Sequence, residues 1–229
     1  MDKIGLVIAM PIETENILHT LGELKTKEVI SGYEISNYSV YDKEIYLADC
    51  GVGVINAAAA TMLLIEKYGV EVIINFGIAG SLKDKIRIGD LLIAKDIVHY
   101  DYDASAFLDI KKGQYLGAES VELPCNEEMI ELADVANGSP MTKVRIASAD
   151  KFISSSKIKQ ELINEFDTDI CEMESIGILR VSDRAGIPSL FIKTISDNAD
   201  EQAEDSIINE VGKGITVYGE LIEKLISIL

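Results

Sequence analysis

Four acidic side chains stand where a reaction could use them. Glu13 closes "AMPIE" at 9–13, Glu172 and Glu174 flank Met173 in "CEMES" at 171–175, and Asp197 follows Ser196 in "SDNAD" at 196–200. Each comes just after a short apolar run, which puts it at the end of a predicted strand. There a carboxylate can give or take a proton, or hold the hydroxyls of a substrate. The same acids have simpler uses: Glu13 or Asp197 can cap the next helix, and Glu172 and Glu174 can both be solvated. A glycine-bearing segment, "NFGIAGSL" at 75–82, predicts a turn at a fourth strand end, where backbone N–H groups approach a ligand closely.

Other chemistries find little support. The two histidines, His19 and His99, are far apart and lack metal-ligand spacing. His19 reads as a surface or packing residue within the first helix, and nothing marks His99 as a base. "GVG" at 51–53 is neither a dinucleotide fingerprint nor a P-loop, and there is no GxSxG elbow. Cys50, Cys125 and Cys171 form no CxxC pattern and each has apolar neighbours, which predicts buried, reduced thiols in the cytoplasm. A formal net charge of −18 argues against nucleic acid or an anionic membrane as partner.

The elements that must carry these acids are legible as apolar periods. The runs 3–10, 71–79, 90–99, 143–149 and 188–196 are short, rich in β-branched residues and nearly continuous, as in strands buried on both faces of a helix-covered sheet. Residues 26–50 alternate more and carry turn signals at Gly32 and Asp42–Lys43, which predicts antiparallel strands near one edge. Pro11 suits a first helical turn, with Ile17, Leu18 and Leu21 following it. Residues 55–69 predict a helix stopped by Gly69, and 175–188 a helix ended by Gly186 and Pro188. The final segment lines Ile207, Val211, Ile215, Tyr218, Ile222, Leu225 and Leu229 along one helix face. The apolar run at the N-terminus is too short to span a membrane, has no small-residue cleavage pattern, and reads as a first strand rather than a signal peptide. With no repeat or linker, residues 1–229 are expected to form one α/β domain.

Six segments in this order, "IGLVIAMPIETE" (4–15), "INFGIAGSL" (74–82), "IGDLLIAKDIVHYDYDASAF" (88–107), "ASADKFI" (147–153), "CEMESIGI" (171–178) and "TISDNAD" (194–200), resemble the nucleoside phosphorylase/nucleosidase superfamily. Within it they are most similar to the 5′-methylthioadenosine/S-adenosylhomocysteine nucleosidases. The resemblance implies a three-layer α/β/α fold with a central mixed β-sheet, in a cytoplasmic homodimer that needs no metal or organic cofactor. It also implies hydrolysis of an adenine nucleoside at the N-glycosidic bond. Glu13 would then activate water and Asp197, beside Ser196, would protonate N7 of the leaving purine. Glu174 would hold the ribose hydroxyls, with Met173 against the sugar. Phe152 would stack on the base, the Ile153 backbone would read its edge, and Ala79 and Gly80 would line its pocket. Met10, Phe107 and Ile207 are the candidates for the apolar 5′-alkylthio pocket, part of which a neighbouring subunit would supply.

The chain departs from the family pattern at three places. Lys193 stands where an arginine near the attacking water is common, Ile78 where some members have serine, and Ile207 where relatives often carry phenylalanine. The first two bear on water positioning, the third on the 5′ group. A purine nucleoside phosphorylase or a futalosine-type hydrolase on the same scaffold is the nearest alternative, and a non-catalytic nucleoside-binding or storage protein is a more distant one.

Overall fold

The apolar runs form strands covered on both faces. The structure, a computed structural model, describes residues 1–15, 17–207 and 218–229. Strands β1 (Lys3–Ile8), β5 (Val72–Ser81), β6 (Leu91–His99), β8 (Thr142–Ser148) and β10 (Ser189–Asp197) match the predicted runs. Burial of every residue of β10, and of nearly all of β1 and β5, requires helices on either side, which gives the three-layer mixed sheet expected. The edge is built by β2 (Glu23–Ile30), β3 (Tyr33–Val40) and β4 (Lys43–Asp49), antiparallel as predicted. Their two-residue turns, Ser31–Gly32 and Tyr41–Asp42, have positive φ at both positions, the geometry that matches the strand twist.

The longer half of the sheet closes on itself, which no local period foretells. β10 pairs parallel with β5 and antiparallel with β6, β6 pairs with β8, and the three-residue β9 (Ile170–Glu172) bridges β8 back to β5. A two-residue strand, β7 (Leu123–Pro124), adds to β6. Closure leaves these strands no free edge, and it gathers the ends of β5, β9 and β10 at one rim.

The helices depart from expectation in detail. The first, α1, is only Pro11–Glu15, and a separate 3₁₀ turn over Leu18–Thr20 leaves His19 and Leu18 exposed while Ile17 and Leu21 are buried. The predicted 55–69 helix is α2 (Val54–Leu63) continued by a π-helical turn to Tyr68, with Gly69 left-handed as its stop. Two further helices were not predicted: α3 (Glu127–Asn137), whose Asn126 side chain caps Met129 N–H, and α4 (Ser156–Phe166). The predicted 175–188 helix is α5 (Ser175–Ala185), ended by left-handed Gly186. Of the last predicted face, α6 (Tyr218–Ile228) buries Ile222 and Leu225; Val211 and Ile215 lie outside the described residues.

Helices α2 and α5 pack closely at Gly177, where a methyl group would overlap the carbonyl oxygen of Val54. In an open helix, alanine would be favoured over glycine by about 1 kcal/mol. Here overpacking against backbone costs about 1–3 kcal/mol and outweighs that gain. Gly177→Ala is therefore expected to lower the urea midpoint, by a net loss of up to about 2 kcal/mol. An unchanged or raised midpoint would mean that α2 moves aside without penalty.

Candidate active site

A cavity of about 370 Å³ opens at the rim where β1, β5 and β10 end, a size suited to a small molecule. Four carboxylates line it: Glu13, Glu172, Glu174 and Asp197. Among the described residues the only cation in its wall is Lys151, which is exposed.

Glu13 turns back from α1 beneath the strand ends. Its Oε2 accepts from Met10 N–H at 3.0 Å and its Oε1 from Ile78 N–H at 2.9 Å. Gly77 makes the room, since a Cβ there would come within 2.7 Å of Oε1. Burial raises the Glu13 pKa above the ordinary carboxylate value, although the Ile78 N–H, the Lys193 charge and the Met10 N–H pull the other way. Glu13 lies in the first turn of α1, where the helix dipole favours the ionised form, but desolvation outweighs a helix of five residues.

Asp197 sits at a β-bulge. Ile195 pairs with Ala79 and Asp197 with the very next residue, Gly80, so Ser196 is the extra residue that resets the strand at the cavity. Ser196 Oγ donates to Asp197 Oδ2 at 2.7 Å, and Ala199 N–H to Oδ1 at 2.7 Å. A Cβ at Gly80 would stand 2.9 Å from Oδ1. Burial raises the Asp197 pKa, partly offset by the Ser196 and Ala199 hydrogen bonds. The "NFGIAGSL" segment is thus not a turn. β5 runs through both glycines without positive φ, and their missing side chains leave space for two acids.

Glu174 Oε1 accepts from Gly53 N–H at 2.9 Å, at the head of α2, while Asp150 Oδ1 accepts from the adjacent Val54 N–H at 2.7 Å. "GVG" at 51–53 therefore contributes to the site after all, because a glycine with φ 112° exposes its N–H to a carboxylate 121 residues away. Burial and the neighbouring Glu172 push the Glu174 pKa up to about 7.

Glu172 lies deeper, bound to Lys193 at 2.9 Å. Burial would raise its pKa, but the Lys193 charge and hydrogen bonds from Ser148, Lys193 and Ser175 leave it below the ordinary value. Lys193 is 1% exposed and is not among the residues that line the cavity, although its charge acts on Glu13 and Glu174. Its ammonium belongs to Glu172.

The cavity brings the remaining predicted residues together with one exception. Phe152 and buried Ile153, from the loop after β8, share it with Ala79, Gly80 and Ser196. Met10, Ile78, Met173 and Ile207 supply apolar wall. Phe107 does not reach it; this side chain is 79% exposed on the loop after β6. Ala9, Val52 and Cys171 line the cavity without having been expected, and Glu172, a candidate acid to which the resemblance gave no role, lines it too. His99 lies apart, bonded to Tyr115 and Asp101.

The model of the phosphorylase superfamily matches residues 3–228. The chain belongs to the phosphorylase superfamily. This superfamily member is 31% identical to the aminodeoxyfutalosine nucleosidase of Helicobacter pylori (strain ATCC 700392 / 26695), over 99% of each chain. It is 31% identical to the 5′-methylthioadenosine/S-adenosylhomocysteine nucleosidase of Shewanella loihica, over 88% of each. A crystal structure of the Helicobacter pylori 5′-methylthioadenosine/S-adenosylhomocysteine nucleosidase with butyl-thio-DADMe-Immucillin-A superposes with a TM-score of 0.93 at 30% identity. That match covers 100% of this chain and 99% of the other.

Glu174 makes stability pH-dependent. Its native pKa of about 7 exceeds the ordinary 4.5, so its contribution is fully present below about pH 4.5 and is lost as pH rises through 7. Glu172 and Glu13 oppose its ionisation; Lys193 and the Gly53 N–H favour it. Glu174→Gln keeps the acceptor and removes the titration. Relative to wild type, the variant should gain stability between pH 5 and pH 8, on the order of 2 kcal/mol, in parallel urea melts. Superimposable pH dependences would show that Glu174 titrates alike in folded and unfolded chains.

Proposed function

We propose that this protein hydrolyses the N-glycosidic bond of 5′-methylthioadenosine and S-adenosylhomocysteine and, by the same chemistry, of 5′-deoxyadenosine, releasing adenine and the corresponding ribose derivative. The observation that carries this reading is the pairing of two buried carboxylates, Glu13 and Asp197, on one cavity, each with a raised pKa and each fixed by backbone N–H groups. Adenine leaves poorly as an anion, so N7 takes a proton as the bond to C1′ breaks. Asp197, whose hold on a proton burial strengthens, gives that proton, and the Ser196 hydroxyl and Ala199 N–H then stabilise the carboxylate that remains. Water adds to C1′ and passes its proton to Glu13. The hydroxyl becomes the anomeric oxygen of the sugar, so atoms and charge balance. Glu174 accepts from the ribose hydroxyls and faces the cationic character of the transition state with negative charge.

Water rather than phosphate is the nucleophile on electrostatic grounds. A phosphate dianion would enter a wall with four carboxylates, and the buried ammonium of Lys193 is already bound to Glu172. Phe152 and the Ile153 backbone recognise the base, and Met10 and Ile207 take the 5′ substituent. The 31% identity to an aminodeoxyfutalosine nucleosidase favours one second reading, hydrolysis of a purine nucleoside with a bulkier 5′ group by the same acid and base.

The same proposal includes a homodimer. Phe107, Leu116 and Ile55 are 79%, 72% and 76% exposed, and Val52 is both cavity wall and surface. A second copy that buried them would bring its Phe107 to the 5′ end of the cavity. A monomeric mass in sedimentation would end that part of the reading. The three free, buried thiols fit the reducing cytoplasm, testable by fractionation, where the released methylthioribose would enter methionine salvage.

Product analysis with methylthioadenosine, S-adenosylhomocysteine, adenosine and inosine, each with and without phosphate, tests the reaction. Free adenine and an unphosphorylated sugar, independent of phosphate, are expected; a sugar 1-phosphate would convert the assignment to phosphorolysis. Asp197→Asn and Glu13→Gln should each lower turnover by roughly 10²–10⁴-fold while melting cooperatively. Near-normal turnover in either would remove that residue from the mechanism.

A further inference from the structure

Among the described residues, Lys193 is the one cationic side chain fully buried in the sheet, at the middle of β10 opposite Gly77 of β5. It makes no wall of the cavity. Its Nζ donates to Glu172 Oε2 at 2.9 Å, with both side chains almost wholly out of water. That same oxygen accepts from Glu174 N–H at 3.1 Å, from Ser175 N–H at 2.9 Å and from Ser175 Oγ at 2.8 Å. Glu172 therefore ties the turn that carries Met173 and Glu174 into the start of α5.

We propose that Lys193 is a positioning residue that acts through Glu172, fixing the Met173–Ser175 turn and so the carboxylate that Glu174 presents to the sugar, rather than contacting water, an anion or substrate itself. This deepens the functional reading above and rests on it. The physical argument is the asymmetry of a buried ion pair. An ion pair without water is held only by its own attraction and its hydrogen bonds, so removing one partner leaves an uncompensated charge that must protonate, move or draw in water. If Glu172 moves, the two backbone N–H groups it holds are released and Glu174 shifts with them. Neutralising both partners together removes that stress. The side-chain amide introduced by Glu172→Gln would still offer an oxygen to the Glu174 and Ser175 N–H groups, with no ammonium left to satisfy.

A cycle of four proteins tests this: wild type, Lys193→Met, Glu172→Gln and the double variant, assayed for adenine release from methylthioadenosine. Lys193→Met alone should lose about 30-fold or more in kcat/KM, and adding Glu172→Gln should recover about tenfold of that loss. A lysine that touched water or substrate would give a double variant no better than Lys193→Met, which would overturn the proposal. Should Lys193→Met not fold, Glu172→Gln provides the comparison, because it strands the ammonium. The double variant is then expected to exceed it, and a double variant equal to or below Glu172→Gln overturns the proposal. Wild type that releases no adenine from any nucleoside would overturn the functional reading instead. The same rank order would then be read calorimetrically from affinity for butyl-thio-DADMe-Immucillin-A, where equal affinities for Lys193→Met and the double variant would count against positioning through Glu172.

Discussion

Four carboxylates facing one cavity, with the buried ammonium of Lys193 behind them, are the constraint to which the surrounding structure answers. An ionised carboxylate out of water is strongly disfavoured unless charge or hydrogen bonds replace its hydration. The fold resolves this differently at each acid. Glu172 receives the ammonium and several donors and titrates below its usual range. Glu13, Glu174 and Asp197 receive mainly backbone N–H groups and titrate above theirs. One environment thus divides the acids: the ammonium and donors favour Glu172 as an anion, while burial raises the proton affinity of Glu13, Glu174 and Asp197.

Those backbone donors exist because of where strands and helices end. Met10 N–H and Ile78 N–H reach Glu13 only because β1 and β5 run parallel and lead to the same rim, and because position 77 has no side chain in the way. Gly80 performs the same service for Asp197, and the bulge at Ser196 re-aims β10 toward the cavity. Glu174 depends on the head of α2, which is held beside it by the close approach of α2 to α5 at Gly177. The ring closure through β9 brings Glu172 to this rim.

Much of this was readable from the sequence, and the unreadable part has a physical reason. Acids that end apolar runs announce themselves, because a strand buried on both faces must become polar where it emerges; that ground marked Glu172 as much as Glu13, Glu174 and Asp197, and only the resemblance set the last three apart. The long strands and the edge hairpins were equally legible from period and turn residues. A glycine pair such as Gly77 and Gly80 is ambiguous by nature, since a turn and a space left for a distant side chain have the same local composition. Lys193 within "FIKTI" offers no sign of its partner, because the pairing with Glu172 follows from a closure of the sheet that no local period encodes. Gly53 and Asp150 were missed for the same reason, their partners lying 121 and 96 residues away in the chain. Phe107 reads like a pocket residue yet is exposed and away from the cavity.

The same electrostatic arrangement bears on which nucleophile a superfamily scaffold admits. An anion can be accommodated only where donors and cations outnumber acids, and burial magnifies whatever imbalance exists because the local dielectric is low. Here the imbalance is negative, and the buried counter-charge, Lys193, is fixed on Glu172 rather than free to turn outward. Water carries no charge into such a site, and burial has already raised the proton affinity of Glu13 in its wall. The sugar, by contrast, gains positive character as its bond to the base breaks, so negative walls that repel a phosphate attract the transition state. The placement of one lysine against one glutamate thus helps decide both what the cavity excludes and what it stabilises.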